Sequence, residues 1–354
     1  MGITEIEGVK IEALCGCVPE HSIDNLTIAK ELFGIEAEEK IKSIGIKKRR
    51  VLKNEENSSL TLCVEAAKKI FVEKTTYKHE IGAIVFVTVS PARTLPNNAT
   101  SVQHLLDLDK NIPAFDINLA CSGYAYGLWI SSLMAKNLNK KVLLLDGDKQ
   151  SHMTSLKDKS TGLIFSDAGS ATIISPFENK NKWFFNFETD GSKRDALTIT
   201  DGGSENYFNE NSLEYVTDVE GNSRRNIDIY MDGLGVFKYV VNQVPKNIKP
   251  LLKKIEDENI NLDYLVLHQA NKFMLDYVAK KLKIPSEKVP ISVTDFGNSS
   301  SATVPLTIAN NLSEKINQEN TNMIISGFGA GLSIGSGLIN IGSCFCPGVI
   351  ELHE

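Results

Sequence analysis

Short, mostly apolar runs recur along the chain, and they alternate with stretches that have helical spacing. Residues 81–88 and 141–146 form such runs in the first half, and residues 262–268 and 322–326 form them in the second. Apolar runs of this length indicate strands that are buried on both faces of a sheet. Because they alternate with helices, the pattern predicts an α/β fold with a mainly parallel sheet and helices on both faces.

The second half of the chain repeats the order of features in the first. The same distance separates Pro113 from Cys121 and Pro290 from Asn298, and each stretch ends in a turn of small residues that leads into a helix. This match predicts an internal duplication. Because equivalent turns of a duplicated fold meet near its pseudo-twofold axis, we expect turns from both halves to form one site.

Length and composition predict where the two halves divide. A chain of 354 residues is too long for one small core. Residues 191–225 are polar and rich in turn residues, which is typical of a loop connection. We therefore predict an N-terminal half at residues 1–190, which carries the cysteine turn, and a C-terminal half at 226–354, which carries its counterpart.

Composition and charge exclude several classes of function. The net charge of -6 gives no indication of nucleic-acid binding. No apolar run reaches the roughly 18 residues that a membrane-spanning helix needs, and no signal-peptide pattern opens the chain. Six cysteines in a chain this long do not make a disulfide framework, so we expect a reducing, cytoplasmic setting.

Three side chains are candidates for catalysis. Cys121 lies at a predicted strand-to-helix turn, where backbone N–H groups and the helix dipole lower a thiol's pKa and stabilise a nearby oxyanion. His268 ends an apolar run, and Asn298 stands in the matching turn of the second half. Alone, each is more often structural: a buried thiol, a core histidine or a turn residue. Together they predict one catalytic site.

Two further patterns have competing interpretations. The pairs Cys15–Cys17 and Cys344–Cys346 form a four-thiolate metal site if the termini meet, but their spacing favours buried structural thiols, and we expect no metal. The basic run at residues 40–50 is either a solvated surface or a patch for an acidic or phosphate-bearing partner.

Four motifs together resemble the signatures of the 3-oxoacyl-(acyl-carrier-protein) synthase III family of thiolase-like condensing enzymes. They are Ala-Cys-Ser-Gly-Tyr at 120–124, His-Gln-Ala-Asn at 268–271, Gly-Asn-Ser-Ser-Ser-Ala-Thr-Val-Pro at 297–305 and Gly-Phe-Gly-Ala-Gly at 327–331. The resemblance implies a thiolase-like five-layer α-β-α-β-α sandwich of two duplicated halves and a homodimer. Its substrates are acyl-CoA or acyl-carrier-protein thioesters, and it needs no cofactor.

The resemblance also implies a mechanism. The nucleophile Cys121 takes up an acyl group, and His268 with Asn298 stabilises the enolate that forms when a malonyl thioester loses CO2. The backbone amides of Cys121 and Ala330 hold the second oxyanion. The family usually has glycine at the position of Ala330, and the added methyl reduces the turn's freedom.

Pocket and carrier residues follow by the same resemblance. Phe328 and Gly329 belong to the substrate pocket, and Leu95 aligns with a residue that reaches into the partner subunit's acyl pocket. The residues expected to meet the carrier are Gln269, Ala270, Asn271, Lys272, Phe273, Lys47, Lys48 and Arg49. We do not expect coenzyme A to be bound in the way that is usual for the family. Phe273 replaces an arginine, and Glu39 and Ser43 stand where the family has tryptophan and arginine.

Other functions remain as alternatives. An acyltransferase of the same fold passes the acyl group from Cys121 to an amine or hydroxyl. A 3-hydroxy-3-methylglutaryl-coenzyme A synthase needs a glutamate base, which residues 87–90 lack, and a thiolase needs a second cysteine, which 327–331 lack. The alternative outside this class is a non-catalytic subunit that only binds acyl carriers.

Overall fold

The structure is a computed structural model that describes residues 2–178 and 182–354. The strands are β1 (Thr4–Glu7), β2 (Val9–Pro19), β3 (Ser22–Asp24), β4 (Lys48–Arg50), β5 (Ile81–Val87), β6 (Ala114–Ile117), β7 (Lys141–Lys149), β8 (Asp167–Pro176), β9 (Lys182–Thr189), β10 (Leu197–Thr198), β11 (Val216–Thr217), β12 (Ser223–Arg224), β13 (Tyr230–Met231), β14 (Tyr264–Leu267), β15 (Thr321–Gly329), β16 (Ser333–Ile341) and β17 (Phe345–Leu352). The helices are α1 (Asn25–Phe33), α2 (Ala37–Ile44), α3 (Ser59–Glu73), α4 (Tyr77–Glu80), α5 (Asn98–Leu105), α6 (Gly123–Leu138), α7 (Gly233–Asp257), α8 (Lys272–Leu282), α9 (Val293–Phe296) and α10 (Thr303–Gln318).

Two sheets repeat one topology. The first has the order β17-β2-β8-β7-β5-β6, and the second has the order β1-β9-β16-β15-β14. In each, two neighbouring strands run parallel (β5 and β7, β14 and β15), and the next two pairs are antiparallel. The predicted duplication is therefore confirmed.

Helices separate and cover the two sheets. The helices α6 and α10 lie between the sheets and contact strands of both. On the outer faces, α3 covers the first sheet and α7 covers the second. The predicted α-β-α-β-α sandwich is confirmed, and its largest shared core lies in the middle layer.

Two glycines bring α6 close to the first sheet. A Cβ added at Gly123 would lie 2.4 Å from Cγ1 of Val87, and one at Gly127 would lie 2.8 Å from Cδ1 of Leu144. Real Cβ atoms do not approach so closely, so any larger residue would push the helix away from β5 and β7. The glycines thus fix the start of the helix that directly follows Cys121.

The sheets do not follow the predicted division of the chain at residue 190. β9 precedes that position but pairs with β16 in the second sheet, and β1 pairs with β9. β17 returns from the C-terminal half to the first sheet. The segment at 191–225 is also more ordered than a plain loop, because it contains β10, β11 and β12. Composition shows where the chain is polar. It does not show which strands pair, because the partners are distant in sequence.

The two cysteine pairs pack into different hydrophobic clusters. Cys15 and Cys17 lie in the outer layer of the first sheet, whereas Cys344 and Cys346 lie in the core between the sheets. All six cysteines of the chain are free thiols. Within the described ranges there is no cluster of three or more potential metal-ligating side chains, and no helix there has the length and apolarity to span a membrane.

Deletion of residues 343–354 is expected to destabilise the first sheet. β17 pairs in parallel with β2, and its removal would expose a strand edge and the apolar surface beneath it. We expect a loss of about 3 kcal/mol or more in the free energy of unfolding, together with aggregation, measured by denaturant titration and light scattering. Glu354→Gln, which keeps β17, is the control and should cost about 1 kcal/mol or less. Unchanged stability after the deletion would contradict this role of β17.

Candidate active site

The nucleophile candidate lies at the floor of a cavity. β6 ends at Ile117, and the chain turns so that the Gly123 N–H donates to the Ala120 carbonyl at 2.7 Å, which places Cys121 directly before α6. Only 5% of the Cys121 surface is exposed. The sequence prediction of a thiol at a strand-to-helix turn therefore agrees with the structure.

The cavity above Cys121 has a volume of about 350 Å³ and mainly apolar walls. Its lining comes from both halves and from the connecting segment. The residues are Val89, Asn118, Ala120, Cys121, Gln150, Met153, Phe165, Leu197, Thr198, Ile199, Ile229, Ser300 and Ala330. A mainly apolar cavity with a thiol in its wall suits an acyl chain bound next to a nucleophile.

Burial controls the protonation of this thiol. Loss of solvent raises the pKa of the Cys121 thiol to about 12, while the hydrogen bond with Ser300 acts in the opposite direction. Burial therefore acts against the lowering of the thiol pKa that was predicted from the helix start, and it is the largest effect on this thiol. Acylation must accordingly include removal of the thiol proton.

His268 follows β14 directly and is enclosed by protein. Its backbone N–H donates to the Ser326 carbonyl at 2.7 Å, and Nδ1 lies 2.7 Å from the Thr303 hydroxyl. The ring stands edge-on to Phe328, with centroids 5.2 Å apart. Burial lowers the pKa of His268 to about 3. The imidazole is therefore neutral at physiological pH.

Asn298 is held by backbone bonds on both sides. Its N–H donates to the Ile164 carbonyl at 3.0 Å, and its carbonyl accepts from the Ser166 N–H at 2.8 Å. The side-chain Oδ1 accepts from the Ser300 N–H at 2.9 Å. Because the oxygen of the amide is engaged, its NH2 group is the part that can donate to a substrate.

Ser300 joins the three candidates. Its hydroxyl lies 3.9 Å from Sγ of Cys121, and its N–H binds Asn298. Its carbonyl accepts from the hydroxyl of Thr303, which also contacts His268. The structure thus brings Cys121, His268 and Asn298 together around one residue. Sequence reasoning missed Ser300, although it stands in the serine run directly after Asn298.

Substitution of Ser300 by alanine should slow alkylation of the Cys121 thiol. With a thiol pKa near 12, the rate with iodoacetamide should rise about tenfold per pH unit between pH 7 and 10. Without the serine hydroxyl, which stabilises the thiolate, the rate should fall about tenfold at each pH.

Ser301→Ala is the matched control for this measurement. Ser301 is equally buried, and its hydroxyl has no hydrogen-bond partner among the described residues. Its rate profile should match that of the wild type. Equal rates for Ser300→Ala and the wild type would show that the Ser300 hydroxyl does not act on the thiol.

The glycine-rich turn packs directly against Cys121. A Cβ added at Gly329 would lie 2.7 Å from the cysteine Cβ, and one at Gly327 would lie 2.5 Å from its carbonyl oxygen. Ala330 lines the cavity beside Cys121, and its φ is not positive. The alanine therefore fits the turn without backbone strain. Its role as a second oxyanion donor stays a prediction.

Comparisons with known proteins agree with this geometry. A family model described as 3-oxoacyl-[acyl-carrier-protein (ACP)] synthase III matches residues 115–191, and a model of its C-terminal part matches residues 252–341. The chain is 32% identical over 296 residues to beta-ketoacyl-[acyl-carrier-protein] synthase III of Clostridium tetani, covering 83% of this chain and 87% of that protein. This chain belongs to the 3-oxoacyl-(acyl-carrier-protein) synthase III family.

Further relatives support membership of the synthase III family over most of the chain. A synthase III of Phocaeicola vulgatus is 30% identical and covers 92% of this chain and 94% of that protein. A crystal structure of a 3-oxoacyl-(acyl-carrier protein) synthase from Burkholderia xenovorans LB400 superimposes with a TM-score of 0.90 at 31% identity, covering 99% of both chains. The chain is thus a condensing enzyme of the acyltransferase class with a thiolase-like fold.

Two of the predicted carrier-binding residues have structural roles instead. Arg49 is 1% exposed, and its guanidinium donates to Oδ1 of Asn25 at 2.6 Å and to the Phe165 carbonyl at 3.1 Å. Gln269 is fully buried, and its Oε1 accepts from the Ser292 N–H at 2.9 Å. Both predictions are wrong, because a buried polar group bonded to the framework cannot meet a partner.

The other residues that were predicted to bind the carrier lie at least partly on the accessible surface of this synthase III. Lys47, Lys48 and Lys272 line a surface depression of about 600 Å³. Phe273 is 54% exposed and stacks on a neighbouring phenylalanine. Ala270 is only partly buried, and Asn271 caps α8 by accepting from the Met274 N–H.

None of the three residues predicted for the substrate pocket is among the residues that line the cavity at Cys121. Phe328 packs on His268, and Gly329 packs on Cys121. Leu95 is 84% exposed. The prediction that Leu95 reaches the pocket of a partner subunit concerns a second copy of the chain and stays a prediction.

Proposed function

We propose that this enzyme loads an acyl group on Cys121 and condenses it with a malonyl thioester to give a 3-oxoacyl thioester. The observation that supports this most directly is the arrangement around Ser300, which contacts Cys121 and Asn298 and shares Thr303 with His268. A nucleophile and two enolate donors in one buried site suit a Claisen condensation.

The first step transfers the acyl group. The Cys121 sulfur forms a bond with the acyl carbonyl carbon, and the carbon–sulfur bond to the carrier breaks. The carrier sulfur leaves as a thiol and carries away the proton lost by Cys121. Backbone N–H groups of Cys121 and Ala330 donate to the tetrahedral oxyanion, which forms beside both residues in the cavity.

The second step breaks the bond between the malonyl carboxylate and its α-carbon. CO2 leaves, and the electron pair forms an enolate whose oxygen accepts from the Asn298 amide and the His268 imidazole. The Thr303 hydroxyl lies 2.7 Å from Nδ1 of His268. The same hydroxyl also lies 2.9 Å from the Ser300 carbonyl, and its single proton serves only one of the two acceptors. In the reactive arrangement it donates to Nδ1, so that the neutral ring carries its proton on Nε2, and this N–H serves as the second donor.

The third step forms the new carbon–carbon bond. The enolate carbon attacks the acyl carbonyl on Cys121, and the Cys121 sulfur leaves as a thiolate. Regeneration of the thiol takes up one proton, so the whole cycle consumes one proton and releases CO2. We assign no step to a metal or cofactor, because the malonyl carboxylate supplies the electron pair.

The partners follow from the same proposal. We propose acyl and malonyl thioesters of acyl carrier protein or coenzyme A as substrates, with an acidic carrier meeting the depression lined by Lys47, Lys48 and Lys272. We also propose a homodimer, in which Leu95 enters the partner's pocket. A cytoplasmic setting suits the six free thiols.

Intact-protein mass spectrometry tests the proposal. Incubation with a panel of acyl thioesters should give a single adduct on Cys121. Addition of a malonyl thioester should then remove the adduct and release an equal amount of CO2. An adduct that leaves only with an amine or hydroxyl acceptor, without release of CO2, would support the alternative acyltransferase and contradict condensation.

A further inference from the structure

One buried side chain in the cavity wall has no role in the mechanism. Gln150 follows β7 in a short 3₁₀ segment, Gln150–Met153, and only 3% of its surface is exposed. It lines the cavity that ends at Cys121. Its Oε1 has no hydrogen-bond partner among the described residues, and its backbone carbonyl is occupied by the Thr154 hydroxyl.

A buried amide oxygen without a partner is costly, and most such groups in folded proteins are paired. Gln269, a second buried glutamine near the site, has a side-chain amide whose polar atoms are paired in the usual way. Oε1 of Gln269 accepts from the N–H groups of Ser292 and Val293, and its Nε2 donates to the Leu267 carbonyl. Gln269 therefore stabilises the framework of the site, whereas the Gln150 oxygen has no hydrogen-bond partner in the described part of the chain.

The surroundings restrict what can pair with Gln150. The cavity is lined mainly by apolar side chains, such as Met153, Leu197 and Ile229, and its other polar lining residues, Asn118, Thr198 and Ser300, are neutral. Among the described residues that line the cavity there is no lysine, arginine, aspartate or glutamate. A charged ligand group would therefore be buried without a counter-charge, which is strongly unfavourable. The partner must be neutral and must donate a hydrogen bond.

We propose that the cavity accepts an acyl chain that carries a hydroxyl group, and that this hydroxyl bonds to the side-chain amide of Gln150. This rests on the proposed loading of Cys121. A hydroxyl donates to Oε1 and also accepts from Nε2, so it satisfies the amide in either orientation. An unsubstituted acyl chain fits the apolar walls but leaves the Gln150 oxygen unpaired.

The expected discrimination is large enough to measure. Sites that hydrogen-bond a substrate hydroxyl reject the analogue that lacks it, because their own polar groups then stay unpaired. For the single amide of Gln150 we expect a preference of about 10- to 100-fold in kcat/KM for acylation of Cys121. Only the chain position that brings the hydroxyl to Gln150 should show the preference.

The test compares matched pairs of acyl thioesters, carried on coenzyme A in one series and on acyl carrier protein in a second. Each pair has one chain length, with and without a hydroxyl at the 2, 3, 4 or terminal carbon, so recognition of the carrier is the same in both members. Acylation of Cys121 is followed by intact mass. For the wild type we expect one hydroxyl position to be preferred by at least tenfold. Gln150→Leu should remove or reverse this preference, because leucine offers only apolar contact.

Stability measurements separate a binding role from a structural one. Gln150→Leu should unfold at the wild-type temperature or above it, because it removes an unpaired polar group. Gln269→Leu, the matched control, should unfold at a lower temperature, since it leaves two backbone N–H groups unpaired. Gln150→Met serves as a second variant of similar length and should lose the same preference.

Two results would overturn the inference. One is a wild type that takes up every unsubstituted chain as fast as its hydroxylated partner; the other is an unchanged preference in both Gln150→Leu and Gln150→Met. Either result leaves loading of Cys121 intact. If no thioester acylates Cys121 at all, the proposed function itself fails, and the role of Gln150 fails with it.

Discussion

Cys121→Ala is expected to abolish self-acylation of the enzyme. The thiol is the nucleophile candidate at the end of the apolar cavity, and no other cysteine lines it among the described residues. Removing a nucleophile costs on the order of 10⁴-fold or more in rate. The variant should keep its fold, because alanine only vacates part of the cavity floor. Intact mass after incubation with a labelled acyl thioester measures the result.

Cys63→Ala is the control for this loss. Cys63 is also a fully buried thiol, but it packs in the outer layer of the first sheet, away from the cavity. Its variant should be acylated at the wild-type level. Cys121→Ala should still decarboxylate malonyl thioesters, because His268 and Asn298 remain. Full labelling of Cys121→Ala would refute the assignment of the nucleophile.

The second large effect is expected at the two enolate donors. His268→Ala and Asn298→Ala should each reduce decarboxylation of the malonyl thioester by about 10²- to 10³-fold, the usual cost of losing one oxyanion donor. Acylation of Cys121 should fall by less than about tenfold, because the backbone donors at Cys121 and Ala330 serve that step. Release of CO2 and the rate of adduct formation, measured on the same samples, separate the two steps.

Ser299→Ala is the matched control for Asn298→Ala. Ser299 is adjacent and fully buried, and its hydroxyl has no partner among the described residues. The variant should decarboxylate at the wild-type rate. Equal losses in both steps for Asn298→Ala would argue that Asn298 supports the fold of the site rather than the enolate.

The pH dependence of decarboxylation follows from the protonation state of His268. Its pKa of about 3 in the folded protein lies below the usual histidine value, so the imidazole stays neutral as pH falls from 8 to 5. Decarboxylation should therefore show no loss near pH 6.5 from protonation of this ring. A rate that halves near pH 6.5 in the wild type and does not in His268→Ala would contradict a neutral His268.

The sequence identified the candidate catalytic residues because each stands in a recognisable motif. Cys121 and Asn298 occupy equivalent turns of the duplication, and His268 ends a buried strand. Their meeting in space follows from the repeat, which is visible as a pattern. The sheet positions of β1, β9 and β17 were not predictable in the same way, because their partners are distant in the chain.

The sequence did not predict which individual polar side chains are buried. Arg49 follows Lys47 and Lys48 in a basic run, but β4 turns its side chain inward to the carbonyl of Phe165. Charge in the sequence does not show which residue of a short strand faces the core. Ser300 and Gln150 were missed for a related reason: their importance lies in which partners they have or lack, and only three-dimensional geometry defines that.

The pairing of β17 with β2 has a consequence for the biogenesis of the enzyme. The two strands are separated by most of the chain, as are Lys53 and Glu354, which are hydrogen-bonded across 301 positions. At typical rates of translation, roughly 15–60 s pass between the synthesis of β2 and the synthesis of β17. During that interval the open edge of β2 can pair with other nascent chains. Efficient production should therefore depend on chaperone capacity.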